Sequence, residues 1–332
     1  MFTVAWIFRK PQPLYYSIEK VFSLIEQDIK KKNACNIRNV LLPENKVLPG
    51  VIMRNILYAR KAKADIYHIT GDVHYVTLGL PTKKTILTIH DCVAMQQTRG
   101  LKRMLWYFLF LKWPIKKSRI VTTISEKTRQ EIMRYTGCSP DKIVVIPNSL
   151  NSRFLFAKRK FNAHCPVILF IGSTPNKNLE RVIEAIKGIE CVLDIVGKIP
   201  SELEKLMNDE GIRFRQSSGL SEEQLVNKYI DCDMVLFPST YEGFGLPIIE
   251  AQQTGRPVIT SNISPMKEVA GKGGCLVDPF SVQSIRDGIV KVISDDLYRE
   301  EIIMNGIKNA EQYKAEIIAG LYSDLYQRLM YS

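Results

Sequence analysis

Apolar residues recur along the chain in short runs rich in β-branched side chains, separated by longer stretches with helical spacing. In the first half these runs are TVAWIF (3–8), DIYHIT (65–70), KTILTIH (84–90), RIVTTIS (119–125) and KIVVIP (142–147). In the second half they are VILFIGS (167–173), ECVLDIVG (190–197), MVLFPS (234–239) and RPVITS (256–261). Nearly continuous apolar strands alternating with helices predict parallel sheets covered on both faces. Most runs end at Gly, Ser, Pro or His-Asp, and ligands of such sheets bind beyond the strand C-termini. Between KIVVIPN and VILFIGS lies SLNSRFLFAKRKFNAHCP, a polar, basic stretch without periodicity that reads as a linker. The pattern therefore predicts an α/β chain of two Rossmann-like domains facing each other across a cleft. Their expected bounds are 1–150 and 166–316, joined by the linker 151–165. A final helix, 317–332, is expected to pack back on the first domain.

Composition adds direction to this picture. With 45% apolar and 24% charged residues, the chain can bury a substantial core, and 332 residues accommodate about two domains. The charge is uneven. Residues 1–150 hold 25 Lys and Arg against 10 Asp and Glu, whereas residues 151–332 hold 21 against 24. A basic first half suits an anionic partner such as a membrane surface or a phosphorylated lipid. No nucleic-acid-binding motif accompanies the charge, and the acidic second half argues against that class. The stretch RGLKRMLWYFLFLKWPIKKS (99–118) mixes aromatic residues with lysines, as an interfacial helix does, or a helix packed on the first sheet. Its apolar centre, Met104 to Leu111, is too short to cross a bilayer. Seven scattered cysteines without a CxxC pair read as reduced thiols in a cytoplasmic protein, peripheral at the inner face of the cell membrane.

The densest chemistry lies in STYEGFGLPIIEA (239–251). MVLFPS supplies a buried strand, and Pro247 suits a first helical turn because its missing N–H would be unpaired there. Gly255 and Pro257 stop that helix. The backbone N–H groups of Phe244 to Ile248 then surround a helix N-terminus, which attracts phosphate through free donors and the helix dipole. Glu242 precedes the helix and Glu250 stands about one turn into it. Two acids flanking an anion site fit a ligand with a diphosphate in the middle and hydroxyl-rich groups at both ends. A carboxylate grips a sugar diol because it accepts two hydroxyl hydrogen bonds. That shape is a nucleotide sugar.

The run from Glu222 to Pro279, with LSEEQL at its start, closely resembles the large retaining glycosyltransferase family of GT-B fold whose hallmark is E-x7-E. It contains YIDCDMVLFPSTYEGFGLPIIEA, TGRPVITSN, KEVAG and LVDP. The likeness extends to IGSTPNKNLERVIEA (171–185), TIHD (88–91), TTISEKT (122–128) and IPNSL (146–150), and so covers most of the chain. The resemblance implies that Glu250 binds the ribose hydroxyls and Glu242 the donor sugar. Backbone amides of Phe244, Gly245 and Leu246 would hold the sugar and diphosphate, with Lys177 as the diphosphate cation. The family usually has an Arg shortly before that lysine. Here Ser173-Thr174-Pro175-Asn176 stands instead, and the Ser173 or Thr174 hydroxyls take some of its hydrogen bonds. The loop at Ser218-Gly219-Leu220 resembles the segment along the base, which it reads through backbone groups, leaving UDP and GDP both open. His90 matches the family's histidine beside the donor sugar. His68, Gly71, His74 and Asp91 are expected on the acceptor side, Asp91 either orienting His90 or capping the next segment. After the first strand the family often has a glycine-rich loop, whereas this chain has RKPQPLYYSIEKVF, which leaves Arg9, Ser17 and Glu19 without firm roles.

The implied activity is transfer of a sugar, with retention, from a UDP- or GDP-sugar to a hydroxyl of a glycan or lipid-linked acceptor. By analogy the setting is bacterial surface polysaccharide synthesis, such as capsule or lipopolysaccharide. No cofactor is expected beyond the nucleotide-sugar co-substrate, and no metal, since helix dipole and lysine can stabilise the leaving phosphate. Rival readings are a nucleotide-sugar epimerase of the same architecture and a catalytically inactive nucleotide-sugar-binding family member.

Overall fold

A computed structural model of the chain describes residues 1–10 and 17–331. The proline-rich stretch that replaces the family's glycine-rich loop falls largely on 11–16, outside the described residues, as does the side chain of Ser17. The chain divides into two compact units, 1–149 with 315–332, and 150–314.

In the first unit, β1 (Thr3–Phe8), β2 (Asn36–Leu41), β3 (Ile66–Ile69), β4 (Thr85–Ile89), β5 (Ile120–Thr123) and β6 (Ile143–Val145) form one sheet in the order β2-β1-β3-β4-β5-β6. All its pairings are parallel. The second unit repeats the plan. Its strands are β7 (Val167–Ile171), β8 (Val192–Val196), β9 (Phe214–Ser217), β10 (Met234–Phe237), β11 (Val258–Ser261) and β12 (Gly274–Val277). They lie in the order β12-β11-β10-β7-β8-β9, again parallel throughout. Nine of the twelve strands coincide with the apolar runs read from the sequence. The three that do not, β2, β9 and β12, are all edge strands with exposed positions, so they lack a continuous apolar signature.

The helix Ala315–Tyr331 belongs to the first unit. It inserts Tyr322 and Tyr326 into the core, where the Trp6 indole donates to the Tyr326 hydroxyl at 2.8 Å. Trp6, Phe22 and Tyr326 are essentially inaccessible, each contributing about 1.5–3 kcal/mol or more through burial.

Residues 151–165, expected as a linker, are instead packed along the second unit. Leu150 N–H donates to the Tyr313 carbonyl at 2.7 Å, and the buried Phe154 ring meets Tyr229 edge-on at 5.1 Å. Arg159 pairs with the buried Asp233 at 2.8 Å. The stretch lacks periodicity because it follows the unit's surface as a strap rather than as a helix or strand.

The stretch 99–118 folds as a helix at Gly100–Trp106, a wider π-helical turn at Tyr107–Lys112 and a short helix at Trp113–Lys116. Phe110, Leu111 and Ile115 join the core of the first unit, while Leu101, Met104, Leu105 and Trp113 stay exposed. One side is therefore packed on the fold, and the open side mixes these apolar residues with exposed Lys102, Arg103 and Lys112. Among the described residues, no helix is long and apolar enough to cross a membrane.

Candidate functional site

In the second unit the C-terminal ends of β7, β9 and β10 bring three loops to one edge of the sheet. Met234 to Phe237 are fully buried, which fixes the strand, and Pro238 follows it. The chain then turns through Gly243 and Gly245 into the helix Leu246–Gln253. Gly245 has φ 112°, and a Cβ there would stand 3.0 Å from the Ile248 side chain, so the turn requires glycine. Pro247 lies in the first helical turn, and Gly255, at φ 73°, follows the last. The Phe244 side chain is buried against Tyr313, so only its backbone is available to a ligand.

The two acids lie on either side of this turn. Glu242 accepts a charge-assisted hydrogen bond from Lys177 Nζ at 2.6 Å, with both side chains less than one-fifth exposed. Lys177 comes from the 3-10 turn Pro175–Lys177 after β7, and its ammonium also lies 4.7 Å from the Phe237 ring centroid. A Cβ on Gly172, at φ 96°, would stand 2.9 Å from the Lys177 stem, so that glycine makes room for the lysine. Asn176 ties the loops together: its Nδ2 donates to the Tyr241 carbonyl at 2.9 Å and to Glu242 at 3.4 Å. Its own carbonyl accepts from Thr240 N–H at 2.8 Å. Glu250, one turn into the helix, accepts from the Tyr229 hydroxyl at 2.6 Å.

Of the residues facing the missing arginine's place, the Thr174 hydroxyl is committed to Asn176 Oδ1 at 2.7 Å, and Ser173 is half-buried. Gly219, exposed with φ 67°, and Leu220 turn the chain from β9 into the helix Glu222–Asp231. That helix is opened by a capping box between Ser221 and Gln224. Its end carries an Asp-x-Asp spacing, Asp231 and Asp233, where the expectation from the sequence was that no such motif marks a divalent metal. The buried Asp233 binds Arg159 and the N–H groups of Asn162 and Val167, which is a structural role.

The first unit sorts the acceptor-side expectations differently. His90 follows β4 and donates from Nε2 to the Thr70 carbonyl at 2.8 Å. Asp91 caps the next segment, accepting from Val93 N–H at 2.9 Å. Gly71 is buried, and a Cβ there would meet only Arg9 N at 3.9 Å, so packing does not demand glycine. Arg9 itself is held by Glu19 at 3.0 Å and Asp72 at 2.9 Å.

His68 does not line a surface. It is wholly buried in β3, with Nδ1 on the Tyr326 hydroxyl and Nε2 on Thr88 Oγ1, each at 2.7 Å, among the rings of Trp6, Phe22 and Tyr322. Desolvation, helped by His90, pushes its pKa down to about 3. His74 is also buried, at 4% exposure, donating from Nδ1 to the Phe110 carbonyl at 2.6 Å. Burial lowers its pKa, opposed by Asp72. Both were expected on the acceptor side, and their burial keeps them from lining a surface. Their flanks, IYHI and VHYV, are apolar on both sides and mark core positions.

Residues 151–309 match the family described as Glycosyl transferases group 1, and residues 28–154 match Glycosyltransferase Family 4. The chain belongs to the group 1, family 4 glycosyltransferases.

This glycosyltransferase is 28% identical to O-antigen chain mannosyltransferase B of Escherichia coli over 283 residues, covering 77% of the chain and 72% of that relative. It is 24% identical to the serotype-specific mannosyltransferase WbdA of Escherichia coli over 318 residues, 84% of the chain. The match covers 38% of WbdA, so the chain spans about two fifths of that relative's length. Its fold is the GT-B fold of Anabaena Alr3699/HepE, solved in complex with UDP and glucose. The TM-score there is 0.79, with 15% identity and coverage of 99% and 100% of the two chains. Two residues that hold Glu242 and Glu250 in place, Asn176 and Tyr229, were not among the expected site residues. Asn176 was legible as the neighbour of Lys177. Tyr229 precedes Glu250 by 21 residues, and no local pattern links them.

Proposed function

We propose that the chain transfers a hexose from a nucleoside-diphosphate sugar to a hydroxyl of a glycan or lipid-linked acceptor, with retention and without a metal. The observation that carries this reading is the meeting of Lys177 with Glu242 beside the glycine turn that opens the helix of Glu250. A cation and a helix N-terminus beside two carboxylates suit a diphosphate with a hydroxyl-rich group at each end. In this reading Glu250 takes the ribose diol and Glu242 the donor sugar. Lys177 and the amides of Gly245 and Leu246 take the diphosphate, with Ser173, Thr174, Gly219 and Leu220 along the nucleotide.

The acceptor hydroxyl attacks the anomeric carbon on the face from which the diphosphate departs. As the carbon–oxygen bond to phosphate breaks, the new glycosidic bond forms and the hydroxyl proton passes to the leaving phosphate oxygen. Charge builds on that phosphate, so its stabilisation by Lys177 and the helix-start amides is the protein's largest contribution. The resemblance gives His90 a place beside the donor sugar. The basic first unit, with Leu101, Met104, Leu105 and Trp113 exposed beside Lys102, Arg103 and Lys112, supports peripheral binding to an anionic membrane face. The mannosyltransferase names of the two relatives put mannose first among donor sugars, and O-antigen synthesis first among settings.

The test is turnover with a panel of UDP- and GDP-hexoses and lipid-linked glycan acceptors, read by mass spectrometry and anomeric NMR, with and without EDTA. The expected product keeps the donor's anomeric configuration and forms equally in EDTA. An inverted product would overturn the same-face route. Nucleotide binding without turnover on any acceptor would support the inactive reading.

A further inference from the structure

We propose that Tyr229 is a positioning residue for Glu250, and that through it the enzyme distinguishes ribonucleoside from 2′-deoxyribonucleoside diphosphates. The inference rests on the reading of Glu250 as the ribose-binding carboxylate and deepens it. The Tyr229 hydroxyl donates to Glu250 Oε2 at 2.6 Å, and the tyrosine is wholly buried. Its ring is fixed by the edge-on contact with Phe154, 5.1 Å between centroids, which the strap 150–165 delivers. Its backbone is fixed as well. The carbonyls of Tyr229 and Ile230 accept from Arg256 Nε and NH2, each at 2.9 Å, and Arg256 is itself buried. The phenol is therefore held from ring and backbone at once, on a different helix from the acid it meets.

Chelating a diol requires a carboxylate whose plane does not rotate, because both sugar hydroxyls must meet its lone pairs together. A hydrogen bond on one oxygen from a rigid donor sets that plane. Burial, followed by the charge of Glu250, pushes the phenol's pKa well up, so it remains a donor at working pH. Glu250 is half-buried and one turn into its helix, and the tyrosine's hydrogen bond restricts the rotamers that its carboxylate can take.

The experiment is calorimetry on the full chain with whichever of UDP or GDP it binds, together with its 2′-deoxy form. The proteins are wild type, Tyr229→Phe, Glu250→Ala and the double variant. Wild type is expected to favour the ribonucleotide by about 10- to 100-fold, the range for a hydrogen bond to a charged group. Tyr229→Phe keeps the ring and is expected to bring the ratio within about 3-fold while the melting temperature moves little. In the Glu250→Ala background the same change is expected to add nothing, since a residue acting through another shows no effect once that partner is gone. A preserved ratio in Tyr229→Phe, or equal additive losses in both backgrounds, would overturn the proposal. If wild type binds both nucleotides alike while Lys177→Ala weakens both, the ribose assignment of Glu250 fails, and the proposal with it. If no nucleoside diphosphate binds wild type, the donor reading itself fails.

Discussion

The two units share sheet size, parallel pairing and edge logic, yet they treat polar residues near their strand ends in opposite ways. The second unit sends Lys177, Glu242 and Glu250 to the open edge and joins each acid to a donor from another loop or helix. The first unit turns two of its three histidines inward. His68 bridges Tyr326 and Thr88 in the core, and His74 is tied to the Phe110 carbonyl. Titratable residues near strand ends thus gather at an open edge in one unit and are packed inside in the other. What separates them is turn chemistry: Gly172 and Gly245, with positive φ, aim side chains and amides outward, whereas the histidines sit in apolar runs.

The comparison breaks most visibly at Glu242. Replacing it with Ala is expected to lower kcat on the order of 10²–10³-fold with an unchanged melting temperature. Turnover within a few-fold of wild type would remove the acid from the site. Next in size is Lys177→Ala, expected to weaken nucleoside diphosphate binding by about 10- to 100-fold in calorimetry. Equal affinity would show that the second unit's open edge is not a phosphate site.

The first unit should answer in the opposite currency. His68→Asn leaves Tyr326 or Thr88 short of a partner and is expected to cost about 1–3 kcal/mol in denaturant unfolding, with kcat of the folded enzyme within about 3-fold. A large kcat loss at unchanged stability would return His68 to the site. The pH dependence sharpens the same point. The fold keeps His68 neutral down to about pH 3, whereas the unfolded chain protonates it below its ordinary 6.5. Acidification from 6.5 therefore removes about 1.4 kcal/mol per pH unit through this residue, a slope that His68→Asn should flatten.

Much of this was legible beforehand because buried parallel strands and glycine–proline turns leave local signatures. STYEGFGLPIIEA contains its strand end, its left-handed glycine and its helix start in thirteen residues. The edge strands β2, β9 and β12 escaped, since half-exposed strands mix polar positions freely. The strap at 150–165 escaped because its packing is carried by single anchors, Phe154 and Arg159, far apart in sequence from Tyr229 and Asp233. Long-range pairs such as Tyr229 with Glu250 leave no spacing to read. The two buried histidines were expected on the acceptor side, and the apolar flanks IYHI and VHYV are the signal that points inward instead.

A structure of the full chain with a bound nucleoside diphosphate tests the central claim most directly. The account predicts the diphosphate within hydrogen-bond reach of Lys177 and the Gly245 and Leu246 amides, with the ribose hydroxyls on Glu250. A diphosphate bound away from Lys177, or a ribose that leaves Glu250 untouched, would contradict it.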